Sequence, residues 1–194
     1  MNLIKQAMNR RLILASESPR RAELLKQIGL DFEIRPSAVD EGRDKKESLE
    51  NYVKRVALAK AEKAASGVKD AVIIAADTIV ILNKKRLGKP ESSESAIVML
   101  KKLSGKCHTV MTGLAVIDTQ AGKRRTKIVS TKVWFKKLSD EEIKEYVKSS
   151  EPLDKAGGYG IQGKAAIFVK RIEGDYFNVV GLPLNTFYEI LAAL

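Results

Sequence analysis

The chain has 194 residues, with 35 Lys and Arg against 24 Asp and Glu, a formal net charge of +11 and an isoelectric point near 9.7. This length favours one domain, and a hydrophobic content of 44% is enough for a buried core. The longest apolar run, Ala71 to Ala76, is too short for a bilayer span of about 20 residues. The single Cys and single His exclude an internal disulfide, a cysteine cage and a multi-histidine metal site within the chain. With no signal-peptide pattern either, we expect a cytoplasmic protein whose metal, if it has one, binds oxygen ligands.

The surplus of positive charge has three interpretations. An isoelectric point above 9 is typical of nucleic-acid binders. It also suits a site that attracts a small polyanion such as a nucleotide. Lysines that are merely solvated on helix faces give the same total. The charge alone does not choose among these classes.

The first half of the chain predicts strands and helices in alternation. Ser18 and Pro19 are suited to open a helix, and Gly29 is suited to end it. The β-branched run before Leu82 predicts a strand that continues into a hairpin turn. The predicted elements are a strand over 12–15, helices over 18–29, 48–65 and 93–103, a strand over 71–82 and a turn over 83–88.

The second half predicts mainly strands, with two further helices. Long strands are expected over 109–118 and 127–135, and Ser139 with Glu142 forms a capping box for a helix that ends at Lys148. Strands over 165–172 and 177–180 and a short helix after Pro183 complete the prediction. Because helices and strands mix without a strict βαβ order, we expect an α/β fold with a partly antiparallel sheet.

The segment from Ser16 to Arg21 is a candidate anion site. It lies between a strand and the first turn of a helix, where free backbone N–H groups and the positive end of the helix dipole favour an anion. Arg20 and Arg21 are unfavourable in a first turn, and a bound phosphate gripped by guanidinium groups would remove that conflict. The alternative is an N-cap followed by two solvated arginines.

Two charged residues interrupt apolar patterns. Lys60 lies on the inward-facing line of Leu49, Val53 and Val56, where it either snorkels or points at a phosphate. Asp77 interrupts a run that otherwise indicates burial on both faces, where an ionised carboxylate is costly without a partner. It could be a general base, a magnesium ligand or a structural group that bonds backbone amides.

Two loops also carry chemistry-bearing residues. The segment 151–163 contains four glycines with Asp154, Lys155 and Gln162, which is consistent with close approach to a ligand or with an ordinary flexible loop. Asp40 and Glu41 form a paired-carboxylate turn that could equally be solvated. The adjacent Cys107 and His108 should face opposite sides of a strand, so a Cys–His nucleophilic pair is not expected.

Five motifs, taken in order, resemble the Maf family over nearly the whole chain from about Leu12. The motifs are Leu14-Ala15-Ser16-Glu17-Ser18-Pro19-Arg20-Arg21, Ala76-Asp77-Thr78, Lys89-Pro90, 151–163 and Asn178-Val179-Val180-Gly181-Leu182-Pro183. The resemblance implies a single Maf-like domain over 1–194, with 1–10 as a short extension. It further implies a twisted mixed β-sheet flanked by helices, in two lobes with a central cleft, similar to inosine triphosphate pyrophosphatases.

The resemblance also implies an activity: nucleoside triphosphates are hydrolysed to the monophosphate and pyrophosphate with a divalent metal, Mg²⁺ or Mn²⁺. Arg21, Thr78 and Gln162 fit the branch that acts on dTTP and UTP and removes unwanted nucleotides from the pool. Glu17 departs from the small residue that is common at its position. The implied roles are general base and metal ligand for Asp77, metal ligand for Glu41, and substrate binding for Ser16, Arg20, Arg21, Lys60, Lys89, Thr78, Asp154, Lys155 and Gln162.

Two competing functions remain open at this stage. One is a pyrophosphatase for 7-methyl-GTP or purine nucleotides, and the other is a non-enzymatic, nucleic-acid-binding regulator of septation. No DNA-binding motif occurs, so we expect a nucleoside triphosphate partner without specific nucleic-acid or membrane binding. Members of the family are often dimers, so a homodimer is also expected from the resemblance.

Overall fold

A seven-stranded mixed sheet is the central element of the structure, a computed structural model that describes residues 10–194. The extension predicted for residues 1–10 therefore lies outside the described residues except for Arg10. The strands are β1 (Leu12–Leu14), β2 (Glu33–Ile34), β3 (Val72–Leu82), β4 (Lys85–Leu87), β5 (Cys107–Asp118), β6 (Lys123–Phe135) and β7 (Val169–Glu173).

Helices flank the sheet, and those that follow Ser18 and Ser139 begin where the sequence predicts, although the Ser18 side chain makes no capping hydrogen bond. Ser48 accepts a hydrogen bond from the backbone N–H of Asn51, and Ser139 with Glu142 forms the expected capping box. Gly29 follows the first helix with a positive φ of 76°, as a C′ glycine should. The helices are α1 (Pro19–Gln27), α2 (Leu49–Ala65), α3 (Ser93–Leu103), α4 (Asp140–Lys148), α5 (Tyr176–Val180) and α6 (Leu184–Ala192), with short 3₁₀ helices at Glu151–Asp154, Ala156–Gly158 and Lys164–Phe168.

The order of strands in the sheet is β2-β1-β3-β5-β6-β7, and β4 pairs with β3 outside this path. Strand β1 is parallel to both β2 and β3, whereas β4 is antiparallel to β3 and β7 is antiparallel to β6. Both orientations are therefore present in one sheet. This confirms the predicted α/β fold with a mixed sheet flanked by helices.

Helix α2 packs closely against the sheet through small side chains. Ala57, Ala61 and Ala64 belong to one buried cluster with Ile73 and with other residues of β1, β3 and β5. A Cβ on Gly113 of β5 would overlap the backbone carbonyl of Val53 in α2, so the approach requires glycine there. The close packing fixes α2, which carries Lys60, against β3, which carries Asp77.

The chain divides into two compact units. The first comprises residues 10–77, 112–129 and 181–194, and the second comprises 78–111 and 130–180. Strands β3, β5 and β6 contribute residues to both units, and the division in β3 falls between Asp77 and Thr78. Among the residues described, no helix is long and apolar enough to cross a membrane.

The strands predicted over 165–172 and 177–180 are wrong in part. Residues Lys164–Phe168 form a 3₁₀ helix, so β7 begins at Val169, and the second segment is helix α5. The Asp175 carboxylate accepts a hydrogen bond from the backbone N–H of Phe177 and stabilises a helical turn. A short apolar run does not reveal this, since a strand and a buried helical turn share the pattern.

Candidate active site

An ion-paired cluster occupies the first unit where α2 faces β3. Lys60 Nζ lies 2.8 Å from Asp77 Oδ1 and 2.7 Å from Glu41 Oε1. The side chains of Lys60 and Asp77 are only 15% and 10% exposed, whereas that of Glu41 is 54% exposed. The position of Lys60 on the apolar stripe of α2 is thereby explained, because its ammonium is directed at a buried carboxylate. The structure brings these three predicted residues together.

The same helix also holds the loop that carries Glu41. The Tyr52 hydroxyl of α2 donates to the Glu41 carbonyl oxygen at 3.2 Å, and Arg55 Nη2 donates to the Gly42 carbonyl oxygen at 2.7 Å. Tyr52 is almost fully buried, so the loop is anchored to the core. One helix therefore positions Lys60 directly and Glu41 through its backbone. Tyr52 and Arg55 were not identified from the sequence, where they look like ordinary helix residues.

Asp77 and Glu41 also fit the oxygen-ligand chemistry expected for a divalent metal. In the described part of the chain, no group of three or more His, Cys, Asp or Glu residues could hold an ion by itself. The two carboxylates nevertheless contact the same ammonium nitrogen, so both can reach one cation. Mg²⁺ is typically bound through one or two carboxylates together with substrate phosphates, which is a donor set that these residues can begin.

The first motif is held together by its own side chains. Ser16 Oγ accepts hydrogen bonds from the Ser18 backbone N–H at 3.2 Å and from Arg21 Nη1 at 2.9 Å. Arg21 Nε donates to the Gly181 carbonyl oxygen at 2.9 Å. Burial lowers the pKa of the Arg21 guanidinium. Arg21 therefore joins the first and last motifs and fixes the Ser16 hydroxyl before α1. The half-buried Arg20 lies beside Arg21 in the first helical turn.

The other predicted binding residues lie in the second unit. Thr78 is half-buried on β3, and Lys89 is exposed just after β4. The Gly88 carbonyl accepts a hydrogen bond from the Gly157 backbone N–H at 2.9 Å, so the segment before Lys89 is bonded to the glycine-containing loop.

The glycine-containing loop 151–163 is ordered by internal contacts. Lys155 Nζ donates to the Glu151 carbonyl oxygen at 2.8 Å and pairs with Asp154 Oδ1 at 2.6 Å. The Lys155 side chain is only 13% exposed, whereas Asp154 and Gln162 are exposed. Lys155 thus contributes to the structure of the loop, and its predicted contact with substrate stays a prediction.

Several second-unit residues that support this loop were not identified from the sequence. His108 is 2% exposed, and its Nε2 lies 2.7 Å from the Tyr159 hydroxyl, whereas Cys107 is exposed. The opposite orientation of Cys107 and His108 confirms that they form no nucleophilic pair. The Tyr146 hydroxyl of α4 donates to Glu151, the first residue of the loop. His108 and Tyr159 are 51 residues apart, and Tyr146 fits the apolar pattern of α4, so no local signal marks either pair.

Comparison with known proteins places the chain in a family. A profile of the family described as Maf-like protein matches residues 11–194. A dTTP/UTP pyrophosphatase of Syntrophus aciditrophicus is 47% identical over 95% of this chain and 90% of its own length. A protein of the same name from Moorella thermoacetica is 49% identical over 94% of both chains.

Solved structures support the fold. The Ham1 protein of Staphylococcus aureus superposes with a TM-score of 0.52 at 16% identity, covering 95% of this chain and 99% of that one. A HAM1 protein from Coxiella burnetii gives the same TM-score and identity, with coverage of 95% and 100%. These similarities concern the fold alone. The profile match and the near-half identity over nearly full length establish that the chain belongs to the family of Maf-like proteins.

Proposed function

We propose that this protein is a nucleoside triphosphate pyrophosphatase that hydrolyses dTTP and UTP to the monophosphate and pyrophosphate. The observation that carries the proposal is the Asp77–Lys60–Glu41 cluster, in which a largely buried carboxylate lies 2.8 Å from an ammonium group. Three relatives named dTTP/UTP pyrophosphatase, 47% to 49% identical to this chain, support the choice of substrates. Modified pyrimidine triphosphates that fit the same site would be removed from the precursor pool by the same hydrolysis.

Asp77 is the proposed general base. Its carboxylate orients the water that attacks the α-phosphate and displaces pyrophosphate, and it accepts a proton from that water. The neighbouring Lys60 offsets the negative charge that the substrate brings. Asp77 and Glu41 would hold a divalent cation, Mg²⁺ or Mn²⁺, which when bound would neutralise charge on the phosphate oxygens. Ser16 and Arg20 hold phosphate oxygens in this proposal, with Ser16 oriented by Arg21.

Selection of the nucleobase is assigned to Thr78 and Gln162, as the resemblance to the Maf family implies. A site built to hydrogen-bond a substrate group rejects analogues that leave its polar atoms unpaired. Gln162 is exposed on an ordered loop, which leaves its amide available to a ligand. Lys89 and Asp154 are exposed as well and stay in the proposal as substrate-binding residues.

The experiment is turnover of a nucleotide panel containing dTTP, UTP, CTP, GTP and 7-methyl-GTP, with Mg²⁺ or Mn²⁺ supplied. We expect pyrophosphate release from dTTP and UTP, and a decrease in kcat of at least about 100-fold for Asp77→Asn. Asp31→Asn is the matched control, since Asp31 is an exposed carboxylate outside the cluster. Preference for a purine nucleotide, or full activity of Asp77→Asn, would contradict the proposal.

A further inference from the structure

Gln162 is flanked by two backbone amides that donate to the side chains of Tyr146, on α4, and Glu151, at the start of the loop. The Gly160 backbone N–H donates to the Tyr146 hydroxyl at 3.2 Å, and the Lys164 backbone N–H donates to Glu151 Oε2 at 3.1 Å. Each of these amides lies two positions from Gln162 in the sequence. The backbone that carries the Gln162 side chain is therefore fixed on both sides.

The two acceptors are themselves a hydrogen-bonded pair. The Tyr146 hydroxyl donates to Glu151 Oε1 at 3.1 Å, so it accepts from Gly160 and donates to Glu151. Tyr146 lies on the buried face of α4 and is 4% exposed. Burial, followed by the neighbouring Glu151 charge, raises the pKa of this hydroxyl, which keeps it protonated as a donor. An edge-to-face contact with Phe168, with ring centroids 5.2 Å apart, holds the tyrosine ring in place.

Glycines on either side of Gln162 make room for this pair. A Cβ on Gly163 would overlap the Glu151 carboxylate. A Cβ on Gly160 would lie 2.6 Å from Lys155 Cε and 3.1 Å from Glu151 Oε1. The carboxylate occupies the space left at Gly163, and it shares the space at Gly160 with the Lys155 side chain. The glycines are explained by close packing within the loop, without any need for contact with a ligand.

We propose that Tyr146 and Glu151 are positioning residues that set the selectivity for uracil and thymine by fixing the backbone around Gln162. The inference rests on the proposed function, in which Gln162 recognises the nucleobase, because Tyr146 and Glu151 act through that residue. Neither side chain needs to touch the nucleotide. A preformed loop presents the Gln162 amide without an ordering cost on binding, whereas a released loop forms that hydrogen bond less well.

The first test is Tyr146→Phe, which removes the hydroxyl and keeps the ring. We expect the KM for UTP to rise about tenfold and kcat to stay within about twofold, with kcat/KM for CTP and GTP nearly unchanged. Tyr176→Phe is the matched control, since Tyr176 is 41% exposed and outside this contact, and it should keep the wild-type ratios. An unchanged preference for UTP in Tyr146→Phe would overturn the inference.

The second test asks whether Tyr146 acts through Gln162. In a double-mutant cycle, Tyr146→Phe added to Gln162→Ala should cause no further loss of UTP preference. Fully additive losses would overturn the inference. If Tyr146→Phe does not fold, the same test is repeated with Glu151→Gln. We expect Glu151→Gln to lose less of the UTP preference than Glu151→Ala loses. Wild-type protein that does not release pyrophosphate from UTP would refute the proposed function itself, which separates the two failures.

Discussion

Lys60 is the residue at which stability and function depend on the same contact. Its ammonium pairs with Asp77, and both side chains are at most 15% exposed. An ion pair this far from solvent contributes less than its Coulomb energy, because both charges lose hydration. Removing one partner is nevertheless costly, since the other charge is then left buried without compensation.

We therefore predict that Lys60→Met lowers the free energy of unfolding by about 3 kcal/mol at neutral pH, as measured by urea denaturation. Adding Asp77→Asn should restore part of this stability, because the unpaired charge is then removed. Lys54→Met on the exposed face of the same helix is the control and should change stability little. Additive losses in the double variant would show that the pair is not coupled.

His108 gives a second prediction at the residue scale, in the pH dependence of stability. Burial lowers its pKa from 6.5 to about 4, and its Nε2 lies 2.7 Å from the Tyr159 hydroxyl. Its neutral form is thus favoured in the folded state, whereas the unfolded chain takes up a proton below about pH 6.5. The stability linked to this group is complete above that pH and is lost as the pH falls towards 4.

This linkage amounts to about 3 kcal/mol between pH 7 and pH 4. Urea denaturation across this range should show a steeper loss for the wild type than for His108→Gln, which has no group titrating there. The other titratable groups are common to both proteins, so their contributions cancel in the difference between the two stability curves. Parallel curves for the two proteins would contradict the assignment of His108.

At the scale of elements, the packing of α2 on the sheet is the feature on which the Asp77–Lys60–Glu41 cluster depends. The helix carries Lys60 and anchors the Glu41 loop through Tyr52 and Arg55. Gly113 of β5 allows the close approach, since a Cβ there would overlap the Val53 carbonyl. Backbone atoms cannot yield as a flexible side chain can, so a larger residue must displace the helix.

Gly113→Ala should therefore destabilise the protein by about 2 to 3 kcal/mol and lower kcat about tenfold, because Lys60 moves relative to Asp77. Thermal unfolding and pyrophosphate release measure the two effects. Gly88→Ala is the control for stability, since a Cβ there meets no atom within 4 Å and its backbone is not left-handed. Wild-type stability in Gly113→Ala would mean that α2 can shift without cost.

The elements also differ in how far the sequence predicted them. Helices α1 to α4 and strand β3 followed from caps and periodicity, because local chemistry determines them. Helix α5 did not, since its turn depends on Asp175 and on a hydrogen bond from Asn178 to the distant Val110 carbonyl. Contacts between residues far apart in sequence leave no local pattern.

At the scale of the whole molecule, the same distinction separates two residues of the first unit from two residues of the second. Lys60 and Asp77 were identifiable because a charge within an apolar pattern conflicts with burial. Tyr146 and Glu151 were not identifiable, because a tyrosine on a helix and a glutamate in a loop do not interrupt any hydrophobic pattern. The role proposed for them rests on the hydrogen bonds that join Gly160, Lys164 and the two side chains.

The net charge of +11 supplies a prediction at this scale. A strongly basic protein attracts a polyanionic triphosphate over distances that salt screens. We expect kcat/KM for UTP to fall about tenfold when salt is raised from about 20 mM to about 300 mM, with kcat nearly unchanged. Steady-state kinetics across this range measures the effect. If kcat/KM does not depend on salt, the surplus charge lies on solvated surface side chains and does not attract the substrate.

The proposed mechanism requires that water attack the α-phosphate of UTP. Hydrolysis of UTP in water enriched with oxygen-18, followed by mass spectrometry of both products, tests this requirement. We expect one labelled oxygen in the uridine monophosphate, unlabelled pyrophosphate and loss of the reaction in Asp77→Asn. Label in the pyrophosphate, or release of orthophosphate from UTP, would contradict it.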